Sequence, residues 1–150
     1  MSVYLPDELY RKAREHAYPC RPSPRRPALV DVLVDQAHAG WLLDQLASGE
    51  VMAPAHQPAE VGSAVARLHR AGALTADTAR DALTAALALP QQLVVASAAQ
   101  VQRAFGLRDR IRVLDGLYVA LAEERGVALL TTDQRLVRAD PPCEVLAPPP

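Results

Sequence analysis

Arg110-Ile-Arg-Val-Leu-Asp115-Gly-Leu-Tyr-Val-Ala-Leu-Ala-Glu123 and, a few residues on, Val127-Ala-Leu-Leu-Thr-Thr-Asp133-Gln-Arg-Leu136 are the stretches that decide the fold. In each, a short apolar run (Ile111 to Leu114, Val127 to Leu130) leads to an aspartate and then to residues with helical spacing. Short apolar strands alternating with helices are the pattern of a parallel sheet covered on both faces. Such sheets place ligands at the carboxyl ends of their strands. The spacing therefore predicts Asp115 and Asp133 at strand-to-helix junctions on one rim of the sheet.

Outward from there the same alternation continues. Leu93 to Ala96 reads as a buried strand, and Ser97 caps a helix reaching Phe105. Pro58 to Leu68 and Thr75 to Leu87 carry helical spacing, the second opened by Thr75 with Asp77 in its first turn. Val51 to Ala53 is a short apolar run ended by Pro54, and Leu29 to Gln36 and Trp41 to Leu46 are helical with Gly40 between them. The fold class expected is α/β: a short parallel sheet flanked by helices in three layers. Residues 28–140 form its body. Residues 1–17 read as an extended stretch and a helix, residues 18–27 as a Pro/Arg linker, and residues 141–150 as a Pro-rich tail with a small apolar patch at Val145 and Leu146.

Length and composition agree with this division. A chain of 150 residues, 50% hydrophobic, suits one core and is short for two ordinary domains. Cys20 and Cys143 lie far apart with no CxxC, which argues against a disulfide or zinc scaffold. No apolar run reaches the roughly 18 residues of a membrane helix and no signal layout opens the chain, so a cytoplasmic protein is expected. The formal net charge of −1 excludes a global basic field, so any nucleic-acid contact must be local. Arg103, Arg108, Arg110 and Arg112 fall close together, and the planar guanidinium fork suits phosphate. A solvated arginine face is the plainer reading of the same cluster.

The acids at helix starts are the candidate chemistry. Asp115, Asp133 and Glu60, the last just after Pro58, are three carboxylates that this topology can bring to one rim. Taken singly, each also fits an ordinary N-cap or a solvated first-turn acid. His16, His38, His56 and His69 share no metal-ligand spacing, and Trp41 and Tyr118 stand among leucines at helical spacing, as core residues do.

The ensemble of these stretches resembles PIN-domain ribonucleases of the VapC type, the toxins of bacterial toxin–antitoxin pairs. The Asp115 and Asp133 blocks match in content and separation, and Ala53-Pro54-Ala-His-Gln-Pro-Ala-Glu60-Val is similar to the segment carrying that family's glutamate. The resemblance runs from about Ala28 to Arg138. It implies a metal-dependent endoribonuclease that hydrolyses RNA phosphodiester bonds with Mg²⁺ or Mn²⁺. Asp115 would be a direct ligand, and Asp133 and Glu60 direct or water-mediated ones. Thr131 or Thr132 would orient a water or a carboxylate, and Arg108, Arg110 and Arg112 would bind RNA. A cognate VapB-type antitoxin and a homodimer are the implied partners. Hard divalent ions take oxygen ligands, so the residue types suit the role.

The sequence departs from that family at its first strand, which there ends in a metal-binding aspartate. In one register Ala28-Leu-Val-Asp31 is a shortened strand and Asp31 is the acid. In the other, Ala28 to Asp35 is already the first helix, where Leu29, Leu33 and Val34 keep helical spacing, and the ligand position falls near Arg25 or Arg26. Ser2-Val-Tyr-Leu-Pro-Asp-Glu-Leu-Tyr-Arg-Lys-Ala-Arg14 resembles the opening of ribbon-helix-helix antitoxins. Two further functions stay open beside the nuclease: an inactive PIN-fold protein that only binds RNA or antitoxin, and a DNA-binding regulator acting through this N-terminal segment.

Overall fold

The computed structural model describes residues 36–47 and 49–148. Asp31, Arg25 and Arg26, the antitoxin-like segment and the Pro/Arg linker lie outside the described residues. The described residues form two compact units, one of helices and one built around the strands.

The helical unit holds α1 (Gln36–Ala47), α2 (Gln57–Arg70) and α3 (Ala76–Leu87). In α2 the residues Val61, Ala64, Val65 and Leu68 are buried, a spacing that draws one apolar stripe down a helix. That helix packs on α3, which buries Ala82 and Ala86. Small alanines let the two backbones approach closely. Thr75 starts α3 as expected, its hydroxyl accepting the Thr78 N–H at 3.1 Å. Buried Gln57 is not left unsatisfied, because its Oε1 accepts from the Gln91 amide at 2.9 Å.

The strand-bearing unit holds β1 (Met52–Pro54), β2 (Gln92–Val94), α4 (Ala98–Gly106), α5 (Val113–Arg125), β3 (Leu129–Leu130), α6 (Gln134–Arg138) and β4 (Val145–Leu146). β1 pairs with β2 and β3 with β4, both in parallel. Helix α5 is the centre of the unit: it packs against α4, β1 and β3. Its buried residues, among them Gly116, Leu117, Val119, Ala120 and Leu121, run around its circumference, the mark of a helix enclosed on all sides. Val119 is completely buried, worth about 1.5–3 kcal/mol for its side chain. Around it, Leu107, Ile111, Ala122 and Leu129 form the core, with Tyr118, Leu136, Ala139 and Cys143 against its margin.

Local chemistry fixes the ends of these helices. Ser97 and Gln100 form a reciprocal capping box at the start of α4. Gln100 then reaches α5, donating to the Glu124 carboxylate at 2.9 Å. Gly116 lets α4 and α5 touch, since a Cβ at that position would stand 3.1 Å from both Cα and Cβ of Ala104. At the other end of α5, Gly126 turns left-handed (φ 62°), where a side chain would be strained, and its N–H closes the helix on Ala122 and Glu123.

Parallel pairing and the alternation of strands with helices match the expected α/β class, but four details differ. Among the described residues the sheet is two separate two-stranded pieces. Ile111 to Leu114 is not a strand: the Ile111 N–H bonds to the Leu107 carbonyl in a turn, and α5 already begins at Val113. Only Ile111 of this run reaches the core, from the turn, whereas Leu114 is exposed on the helix. Leu93 of β2 is exposed and Val95 just beyond it is 81% exposed, so this strand is not buried as expected. The segment read as a tail contains β4, and Pro141 and Pro148 beside it are buried. Prolines flanking a strand that pairs along one edge forfeit no ladder bond.

Candidate metal centre

Asp133 stands where the rule for parallel sheets puts a functional acid. The chain leaves β3 at Leu130, passes Thr131 and Thr132, and enters α6 with Asp133 as its N-cap. The cap is made by Oδ1, which accepts the Arg135 N–H at 2.8 Å. Thr131 is buried and its Oγ1 accepts the Asp133 N–H at 3.1 Å. Carboxylate and backbone are thus held from two sides. This leaves Oδ2 as the oxygen not used by the cap, a monodentate arrangement.

Asp115 is the third residue of α5, half-buried in its first turn rather than directly after a strand. The first turn of a helix favours a negative charge. Because α5 packs on β3, both aspartates belong to the strand-bearing unit. Glu60 is in the first turn of α2, in the helical unit, and half-buried. Among the described residues no group of three or more His, Cys, Asp and Glu side chains is close enough to hold a metal ion. The donor chemistry is nonetheless that of a hard cation. Mg²⁺ is commonly held by one or two carboxylates, with waters and substrate phosphate completing its octahedron.

The arginines divide in their roles. Arg103 makes a two-pronged bond to Glu123, with Nε at 2.9 Å and Nη2 at 2.8 Å, which raises its pKa and commits it to joining α4 and α5. Arg110 reaches the carbonyls of Ala139 and Asp140 at 3.4 and 3.5 Å. Arg112 precedes α5 without a side-chain cap bond and is exposed. Arg108 lies with its guanidinium carbon 4.5 Å from the centroid of the Phe105 ring and donates to the Phe105 carbonyl at 3.1 Å. Phe105 is the chain's one phenylalanine and is 57% exposed. Sequence reasoning placed it at a helix end and passed over it; an aromatic three residues before an arginine, at a helix end, was the available signal.

His56, at the end of β1, meets Tyr118 of α5 edge to face, with centroids 5.4 Å apart. Tyr118 is one turn beyond Asp115 and at the core margin, as its spacing predicted. Burial and the nearby Glu123 carboxylate push the Cys143 thiol above its usual pKa. Among the described residues no helix is long and apolar enough to cross a membrane.

A strand-to-helix aspartate, a second acid in the first turn of the central helix and parallel pairing define an α/β domain with one acid at a strand end. The sequence matches the PIN domain over residues 27–141, and the chain belongs to that family. It is 42% identical over 115 residues to ribonuclease VapC3 of Mycobacterium tuberculosis, an alignment covering 76% of this chain and 83% of the relative. It is 34% identical over 120 residues to ribonuclease VapC1 of the same organism, covering 79% and 90%. Within the PIN-domain family the chain is therefore of the VapC ribonuclease type.

Proposed function

We propose that this chain is a metal-dependent endoribonuclease that cuts RNA phosphodiester bonds at a centre built on Asp115 and Asp133. The observation carrying the reading is Asp133 itself: a carboxylate at a strand's end, braced by buried Thr131, in a unit whose central helix presents Asp115. The ion would be Mg²⁺ or Mn²⁺, held by Asp115 and Asp133. When bound, it would neutralise phosphate charge and lower the pKa of the attacking water.

The chain's own groups do the rest. Asp133 offers the oxygen its cap leaves over, and Thr131 keeps that carboxylate aimed. Thr132, next in the chain, orients water or carboxylate. Arg108, Arg110 and Arg112 draw the RNA backbone towards the acids by charge-assisted bonds. Asp31 is a further ligand in this reading if the first of the two registers holds. The VapC relationship supports a VapB-type antitoxin as the silencing partner and a homodimer as the working state, in the cytoplasm.

The test is incubation of purified protein with total RNA and Mn²⁺ beside Asp115→Asn. Cleavage should appear, fall about 100-fold or more with the substitution, and stop with chelator, as loss of a metal ligand exceeds the effect of losing an outer-shell partner. Absence of cleavage at every metal concentration would favour the inactive PIN-fold protein instead.

A further inference from the structure

We infer that Phe105 and Arg108 together form a stacking platform for a base of single-stranded RNA beside the proposed cleavage centre. The inference names a substrate contact and so rests on the nucleic-acid reading of this chain, though not on cleavage itself.

Exposure comes first. An exposed phenylalanine ring keeps a large apolar surface in water, and here it stands at the end of α4 with half-exposed Val101 one turn before it. The ring is not loose. Arg108 lies over it at 4.5 Å and is tied back by its own bond to the Phe105 carbonyl, so ring and cation form one preset unit. A flat ring with a guanidinium plane against it is the equipment that proteins use to bind unpaired bases, because every base offers a π-face.

Charge then selects the partner. Arg108 is joined within four residues by Arg110 and Arg112, all three exposed, on the turn that leads from α4 into α5. The acid on this turn, Asp109, lies 4.0 Å from the Arg108 guanidinium and offsets only part of that charge. The turn runs directly into the helix whose third residue is Asp115. A polyanion with exposed flat groups complements an aromatic ring bordered by arginines. A purely apolar protein surface would leave the three guanidinium groups without counter-charges.

The experiment measures binding of a fluorescent oligouridylate in chelator, using the full chain so that no cleavage intervenes. Phe105→Ala should weaken binding about tenfold, the scale of one lost base stack, with the salt dependence unchanged. Phe105→Trp should restore it and Phe105→Leu should not, which separates stacking from simple apolar packing. Arg108→Ala should weaken binding and lower the salt slope by about one phosphate's share. Equal affinity for the Leu and Trp variants would overturn the inference, as would a Phe105→Ala protein that binds RNA normally but loses its dimer. Binding that depends on Phe105 in a protein that never cleaves RNA would uphold the platform and defeat the nuclease proposal. Cleavage by a protein indifferent to Phe105 would do the reverse.

Discussion

Two glycines in helix interiors, Gly62 in α2 and Gly116 in α5, should respond to alanine with opposite signs. The intrinsic gain is common to both, since alanine is favoured over glycine in a helix by about 1 kcal/mol. At Gly62 the new methyl meets nothing nearer than the Leu83 Cδ1 at 4.0 Å, an ordinary contact with a flexible end. Gly62→Ala should therefore stabilise the protein by most of that gain. At Gly116 the methyl would press on Cα, Cβ and the carbonyl oxygen of Ala104 at 3.1, 3.1 and 3.2 Å. Those atoms are α4's backbone and its shortest side chain, so the whole helix must give way. Overpacking of this kind costs about 1–3 kcal/mol, leaving a net loss of up to about 2 kcal/mol after the propensity gain. For a chain of this size each kcal/mol is worth about 2–4 °C in Tm. Thermal unfolding followed by circular dichroism, with a urea titration for ΔΔG, should show Tm rising for Gly62→Ala and falling for Gly116→Ala. If both rise alike, the α4–α5 contact is not the constraint described.

Other consequences are open to direct measurement. Thr131→Val removes the acceptor of the Asp133 N–H and should cost about 1–3 kcal/mol in urea unfolding, whereas Thr131→Ser should cost much less. If the nuclease proposal holds, the same valine variant should cleave RNA more slowly at saturating Mn²⁺. Gly126→Ala forces a side chain into the left-handed region and should destabilise α5's end by about 1–2 kcal/mol. Cys143, in a Cys20→Ser background, should be alkylated with a midpoint above that of an ordinary thiol, and Glu123→Gln should bring the midpoint down. Its raised folded pKa stabilises the native state fully below the ordinary thiol pKa. That contribution is lost as pH climbs through the raised value, so Cys143→Ser should flatten the alkaline fall in stability.

Much of this was legible because the signals were local. Ser97 with Gln100 three residues on, and Thr75 before its helix, name their own roles: a cap needs only a hydroxyl and nearby N–H groups. Asp133 was found at a strand end because only Thr131 and Thr132 separate it from the apolar run Val127 to Leu130. Asp115 was placed on the right helix but after a strand that does not form, since a short apolar run such as Ile111 to Leu114 reads alike whether a ladder or a turn and helix start follows, and here Leu114 is exposed. Val145 and Leu146 were read as tail because β4 has no pattern of its own. Its partner, β3, lies on the other side of α6 in the chain. The Phe105–Arg108 pair escaped for a related reason. Whether a ring at a helix end is packed or exposed depends on what the rest of the fold covers.

The pairing of β4 with β3 also bears on how the molecule is made. Synthesis releases Thr131 and Asp133 before Val145 and Leu146, yet the Thr131 N–H bonds to the Leu146 carbonyl at 3.0 Å. The segment leading to Asp133 gains this lateral anchor only after the ribosome has passed it by several more codons. An emerging polypeptide thus carries its acids well before it can hold them in working order.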